Sequence, residues 1–214
     1  MRYEIIQTGS KGNAILVNNI LLDCGVSYTK LKKYLKEIKF IFIGHSHNDH
    51  FKKTTIKQIA YEKPNIKFIV GNYLVKTLLD CGVKSKNIIV LELEQWYKVS
   101  DLKIRLDYLY HDVPNDCIHI HFADGKKVFY ATDTSKIDHI IAKEYDYYFI
   151  EANYLTDTEL DNKIQEDKEN NRFSYYERVK ETHLSQLQAI NWLDKNMGVN
   201  SKYIFIHQHI EKEN

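Results

Sequence analysis

An α/β fold, in which mixed β-sheets are covered by helices on their outer faces, is predicted by three features of this 214-residue chain. Short apolar runs of strand character alternate with helical patterns along its whole length, the signature of sheets flanked by helices. Hydrophobic residues make up 43% of the chain and only two residues are proline, so it can bury a sizeable core as one domain spanning 1–214. Finally, polar residues of metal-binding type stand directly after apolar strands, where a rigid framework can hold them in place.

The elements follow in order. Tyr3 to Gln7, Ala14 to Val17 and Ile20 to Asp23 read as strands, the last two joined by a turn at Asn18-Asn19. A helix is predicted from Tyr28 to Lys36, with Leu31 and Leu35 on one face and lysines on the other. The apolar run Phe40-Ile41-Phe42-Ile43 is a strand, Thr54 to Glu62 a helix stopped by Pro64, and Ile66 to Val70 a strand. Tyr73 to Leu79 is a helix ended by Gly82. Strands follow at Asn87 to Leu91, Leu102 to Tyr108, Asp116 to Phe122 and Lys127 to Ala131, with a hairpin at Asp124-Gly125. A helix near Ser135 to Ile141, a strand at Tyr147 to Ile150, a helix at Gln186 to Asn196 and a strand at Tyr203 to Ile206 complete the alternation. The polar stretch Thr156 to Asn171 reads as a loop or exposed helix within an insertion around 154–180. Beside it Tyr154, Arg172, Phe173, Tyr175, Tyr176 and Arg178 combine rings and charge at a site that could line a substrate entrance or pack a surface helix.

Composition sets limits on function. Thirty basic and twenty-nine acidic residues leave a formal net charge of +1, so no strong general attraction to nucleic acid or membrane is encoded. No apolar run approaches the length of a membrane span, and the N-terminus lacks the pattern of an export signal. Cys24, Cys81 and Cys117 are odd in number and in no zinc spacing, which predicts reduced thiols in a cytoplasmic protein. Monomer and homodimer both remain open.

The chemistry is concentrated in His45-Ser46-His47-Asn48-Asp49-His50, directly after the strand at 40–43. A single His-x-His is usually a solvated turn, but three imidazoles and a carboxylate together suit zinc and similar divalent ions. In an extended segment His45 and His47 share a face while Asp49 and His50 lie beyond them, so one loop can serve two adjacent metals. His111, Asp133 and His207 each follow the end of an apolar strand. Each alone is more often a turn residue or cap; together, behind the His-rich loop, they are candidate ligands. His119 and His121 sit inside a strand whose Ile118, Ile120 and Phe122 face the core, which predicts that Cys117, His119 and His121 face solvent or a partner. His139 is expected to be solvated, and His209, sharing a face with His207, is an alternative ligand.

This order, His45-x-His47-x-Asp49-His50, then His111, Asp133 in Ala-Thr-Asp-Thr and a final His after the last strand, resembles the metallo-β-lactamase fold superfamily. Thr8-Gly9-Ser10-Lys11-Gly12-Asn13 and Leu21-Leu22-Asp23-Cys24-Gly25 are similar to that family's opening strands and turns. The resemblance spans nearly the whole chain. It implies an αββα sandwich with two metals in a cleft at one edge: His45, His47 and His111 on the first, Asp49, His50 and His207 on the second, and Asp133 bridging. Asp23 is expected to support the site from behind.

Asp133 at the bridging position separates the chain from true β-lactamases and aligns it with hydrolases of phosphodiesters and thioesters. Ile150-Glu151-Ala152-Asn153 and Glu181-Thr182-His183-Leu184-Ser185 resemble small nuclease-like and phage-encoded members, and His183 is similar to the active-site His of the ribonuclease Z type. Two departures stand out: the final motif reads His207-Gln208-His209, where relatives usually have Ser at the last position, and the tRNA-clamping arm of ribonuclease Z is not recognisable. The resemblance therefore implies a phosphodiesterase acting on nucleic-acid ends or nucleotides, cyclic nucleotides included. A thioester or small-ester hydrolase is the alternative, and an inactive metal-binding module a third reading. The cofactors would be two divalent ions, zinc first and manganese second. Two such ions about 3.5–4 Å apart lower the pKa of a shared water toward ~7 and so generate a hydroxide nucleophile. Asp49 would orient it, and His183 would stabilise developing charge or protonate the leaving oxygen.

Overall fold

A computed structural model describes residues 1–208. Its first sheet comprises β1 (Tyr3–Gln7), β2 (Ala14–Val17), β3 (Ile20–Leu22), β4 (Phe40–Phe42), β5 (Lys67–Val70) and β6 (Ile88–Val90), in that spatial order. Its second comprises β7 (Tyr97–Val99), β8 (Leu102–Leu109), β9 (Asn115–His121), β10 (Lys127–Ala131), β11 (Tyr147–Glu151) and β12 (Lys202–Ile206), ordered β12-β11-β10-β9-β8-β7. In both, an antiparallel part joins a parallel part: β3 to β6 run parallel, as do β10, β11 and β12.

Side-chain alternation along the strands builds three apolar layers. In β4, Phe40 and Phe42 enter the core between the sheets, where they meet Ile118, Ile120, Tyr130 and Phe149 of the second sheet. Ile41 and Ile43 point the other way and pack with Ile56 and Ile59 of α2 (Lys53–Glu62) and Leu78 of α3 (Val75–Asp80). On the far side Phe129, Tyr148 and Ile150 pack with Ala189, Trp192 and Leu193 of α6 (Gln186–Asn196). These layers make the αββα sandwich that the sequence resemblance implied. The start of α6 is written in its sequence: the Ser185 side chain accepts from the Gln188 amide N–H, while the Gln188 side chain accepts from the Ser185 N–H.

Several local expectations need correction. The helix expected over Tyr28 to Lys36 is a single turn, α1 (Tyr28–Leu31), followed by successive turns. Lys30, Lys32, Lys33 and Lys36 include pairs three or four apart that would repel along a continued helix. The segment Ser135 to Ile141 is not helical. Its surroundings draw its backbone groups to α6 instead: Ile140 O accepts from Trp192 Nε1 at 2.9 Å and the Ala142 N–H donates to Asn196 Oδ1 at 2.9 Å. Strand β7 has no counterpart among the elements expected from sequence. By contrast, the polar stretch Thr156 to Asn171 takes the helical one of its two expected forms, α4 (Asp157–Glu169), capped by Thr156 and burying Leu160 and Ile164, and a further helix, α5 (Tyr175–Thr182), follows it.

The outward face expected for β9 is also overturned. Cys117 and His119 are fully buried because the segment carrying Ile137, Ile140 and Tyr145 covers that side of the sheet. His119 Nδ1 lies 3.0 Å from Tyr145 Oη and its Nε2 2.8 Å from Asp107 Oδ2, and Arg105 also grips Asp107. Only His121 of that face remains partly exposed. Ile118 and Ile120 do face the inner core. His139 is exposed but stacks on Tyr108 with ring centroids 4.5 Å apart.

Candidate metal centre

The candidate site lies where strands of both sheets end. Beyond β4, Gly44 passes so close to β9 that a Cβ there would fall 2.8 Å from Asn115 Oδ1 and 2.9 Å from Asp116 O. After irregular residues at 45–46 the chain closes a turn, with the His50 N–H donating to His47 O at 2.9 Å and the Phe51 N–H to the same oxygen at 2.7 Å. A neighbouring strand end clamps this turn: the Asn13 N–H donates to Asp49 O, and the Cys24 N–H to His50 O. Gly25 lies flat against it, since a Cβ there would collide with Asp49 O.

The remaining residues arrive singly from strand ends: Asp23 after β3, His111 after β8, Asp133 after β10, Glu151 at the end of β11 and His207 after β12. Asp23, Asp133 and His207 have positive φ angles of 60°, 57° and 52°. Left-handed backbone at a non-glycine residue persists where surrounding structure holds it, here turning three side chains toward one place. Asn115 Nδ2 donates to Thr132 O and Asp133 O, Asn153 Nδ2 to His207 O, and the His207 N–H to Thr8 Oγ1.

All of the candidate ligands singled out in the sequence within the described residues converge here. His45, His47, His111 and Asp133 form one group, with donor atoms within 4.8 Å of one another; Asp49, His50, Asp133 and His207 form a second by the same measure. Asp133 belongs to both, its Oδ2 lying 3.1 Å from His45 Nε2 and 2.9 Å from His50 Nε2. His183 joins a third group with Asp133, Glu151 and His207. His209 lies outside the described residues.

The donor set fits cations. His45 is fully buried and neither of its nitrogens makes a hydrogen bond; the 3.1 Å approach to Asp133 lies outside hydrogen-bonding geometry. His207 Nε2 is likewise buried without a partner. Such orphans are costly in a folded protein unless something absent from the polypeptide satisfies them. His50 Nδ1 is 2.6 Å from Asp23 Oδ2, where it donates if Nε2 is to present its lone pair to the site. Asp23 is held in turn by Tyr130 Oη at 2.5 Å and the Gly44 N–H at 3.1 Å, so it stands behind the centre, as expected.

Electrostatics points the same way. Burial alone would lower the pKa of His50 and His207, yet the surrounding carboxylates together, Asp133 and Asp23 at His50 and Asp133, Asp49 and Glu151 at His207, raise both well above the ordinary value. Burial would raise Asp133, but His207 and His50 hold it well below the usual carboxylate range. The pocket thus favours positive charge, which a metal ion can supply in place of protons. Burial pushes His111 down to about 4, keeping it neutral and able to donate a lone pair.

Glu151 is the residue whose role was not read from the sequence. Fully buried, its Oε2 accepts from the N–H groups of Thr134 at 3.0 Å and Leu184 at 3.3 Å, while Oε1 lies 2.5 Å from His183 Nδ1 and 3.1 Å from His207 Nδ1. Its position at the end of an apolar strand, like that of Asp133, was the available signal. At the rim, Asp112 accepts from Arg178 at 2.7 Å and lies 3.3 Å from His47 Nε2. The cleft over the centre encloses about 330 Å³ and includes Tyr175, Arg178 and His183 in its lining.

The sequence profile of the beta-lactamase superfamily domain matches residues 18–208. A 108-residue stretch, 48% of the chain, is 29% identical to the cytidine monophosphate-N-acetylneuraminic acid hydroxylase of Sus scrofa but covers 24% of that protein. The Gorilla gorilla gorilla protein of the same name is 30% identical over 108 residues and 18% covered, so the chain spans about a quarter or less of these curated relatives. Among solved structures, the metallo-beta-lactamase fold protein YhfI from Bacillus subtilis superposes with a TM-score of 0.70 at 16% identity, over 98% of this chain and 86% of that one. The short form of human tRNase Z (ELAC1) gives 0.70 at 16% identity over 96% and 92%, and a long-form RNase Z from yeast 0.60 at 16% identity over 96% and 34%. At such identities these likenesses establish the fold alone.

Proposed function

The chain belongs to the beta-lactamase superfamily domain family, and from that premise we propose that it is a binuclear metal-dependent phosphodiesterase acting on nucleotides or nucleic-acid ends. The observation that carries the reading is the placement of one Asp133 oxygen between two His-rich groups, with His183 and Glu151 paired beside it. In this reading His45, His47 and His111 would hold one ion and Asp49, His50 and His207 the other, with Asp133 within reach of both. Zinc suits the imidazole-rich set, and manganese is the second candidate. When bound, such a pair of ions acts as a Lewis acid toward phosphoryl oxygens and acidifies water.

The protein's own groups supply the rest. Asp49, held well below the usual carboxylate range by His207 and His50 although burial opposes this, stays ionised and can accept a hydrogen bond from the attacking water. His183 Nδ1 donates to Glu151, so Nε2 is the nitrogen able to deliver a proton to a leaving oxygen. Burial would lower the pKa of His183, but the Glu151 carboxylate overrides it and raises the net value, favouring the protonated imidazole that an acid requires. Glu151 is a positioning residue, acting through His183. The likeness in fold to human tRNase Z supports a nucleic-acid or nucleotide substrate.

Reconstituted protein is expected to hold about two divalent ions per chain and to cleave bis(p-nitrophenyl) phosphate well ahead of a thioester or a β-lactam. Thioester cleavage alongside inert diesters would reverse the substrate assignment. Two bound ions with no ester cleaved would leave a metal-binding module.

A further inference from the structure

Next to the metal cleft lies a second cavity of about 330 Å³ with walls of different chemistry. It is bounded by α4 and α5 on one side and by the run 152–155 on the other, and it shares Asn153, Tyr175, Val179 and Gln208 with the metal cleft. The two spaces are therefore contiguous. Tyr154, Tyr175 and Tyr176 give the second cavity aromatic surface, and Asn153, Gln186 and Gln208 place amides around it.

The walls are held in place. The Gln186 N–H donates to Tyr154 O at 2.6 Å and the Leu187 N–H to Leu155 O at 3.2 Å, tying the run to the start of α6. Tyr154 Oη donates to Asp157 at 2.8 Å, and Lys163 Nζ, paired with Glu159 Oε1 at 3.3 Å, lies 5.4 Å from the Tyr176 ring centroid. Tyr175 remains 53% exposed, so its ring does not serve to fill a core.

We propose that this cavity receives the nucleobase of a nucleotide whose phosphodiester lies at the Asp133 centre. This rests on the phosphodiesterase reading and narrows it to substrates carrying a base beside the scissile phosphate. Aromatic rings stack on any base, and side-chain amides match the donors and acceptors of a base edge. Ala152, Leu155, Leu160 and Val179 also line the cavity and Asn153 Nδ2 is already engaged by His207 O, so it is the Gln186 and Gln208 amides that favour a base over an acyl chain.

The test compares two esters with one leaving group, methyl p-nitrophenyl phosphate and thymidine 5′-p-nitrophenyl phosphate, on metal-loaded protein. The thymidine ester should have the higher kcat/KM, and Tyr175→Ala should reduce that preference by roughly 5–100-fold through KM, the range for one lost stacking contact. Calorimetric titration of metal-free protein with TMP, AMP and GMP gives a readout independent of turnover. At least one should bind, and Tyr175→Ala should weaken it by a similar factor while Tyr175→Phe retains it. Equal kcat/KM for the two esters, or a preference untouched by Tyr175→Ala, overturns the base subsite while leaving a phosphodiesterase. Tyr175-dependent nucleotide binding with neither ester cleaved supports the subsite and removes the hydrolytic reading. Binding of none of the three nucleotides overturns the subsite.

Discussion

Replacing Asp116 by asparagine should stabilise the protein in a manner that grows with pH. Asp116 is 4% exposed on β9, between Tyr73 and the Gly44 turn, and its Oδ2 has no hydrogen-bond partner. The neighbouring Tyr73 Oη already donates to Gly44 O, so it can accept from a protonated carboxyl but has no second proton for an ionised one. Burial, with the charge of Asp107 adding to it, pushes the Asp116 pKa from 3.8 to about 7. Because the folded state then holds a proton that the unfolded chain has released, stability is lost as pH rises from the unfolded value through the folded one. With these two values the loss is ~2 kcal/mol at pH 5.5 and ~4 kcal/mol at pH 8, relative to the protonated limit. An asparagine amide mimics the protonated carboxyl, so the advantage of Asp116→Asn should widen by about 2 kcal/mol between these pH values. Paired urea melts of metal-loaded wild type and variant measure this, and titrations shared by both proteins cancel in the difference. A gap that stays constant from pH 5.5 to 8 would show that Asp116 is ionised in the folded protein throughout.

Other consequences are open to direct measurement. His183→Ala should retain metal by elemental analysis while lowering kcat by roughly 10²–10⁴-fold; loss of an ion in that variant would instead make His183 a ligand. Glu151→Gln removes the carboxylate that raises His183, so the alkaline limb of the pH–rate profile should move to lower pH; an unmoved limb rules out His183 as the acid that Glu151 tunes. Asp23→Asn alters the partner of His50 Nδ1 while leaving every proposed ligand residue in place, and should weaken metal binding by about 10–100-fold in competition with a chelator; unchanged affinity would assign Asp23 to folding alone.

Much of the architecture was legible in the chain because it depends on local pattern. The alternation in Phe40-Ile41-Phe42-Ile43 divides two apolar faces, the pattern of Gln186 to Asn196 places α6, and the run His45 to His50 compresses its polar groups into one turn. The polar residues at the ends of β8, β10 and β12 could be picked out for the same reason, since a strand end is visible where an apolar run stops.

Where those strand ends meet was decided by tertiary structure. Asp23 and His50 are 27 residues apart and Glu151 and His207 56, and their pairing follows from the order of parallel strands; Glu151 and His183, 32 apart, meet because the link between α5 and α6 packs at the end of β11, and local periodicity specifies neither. Cys117 and His119 show the same limit. Their alternation with Ile118 and Ile120 identifies two faces of β9, but burial of the second face depends on the segment through Ile137 and Tyr145 folding over it. Likewise, the early end of helix after Leu31 and the irregular path from Ser135 to Ile141 reflect charge repulsion and hydrogen bonds that outweigh local helical preference. Sequence pattern thus determined which imidazoles and carboxylates stand at strand ends as candidate ligands and how the residues of each strand divide between two faces. Tertiary structure decided which distant carboxylate each imidazole meets, because that depends on chain crossings and the third apolar layer.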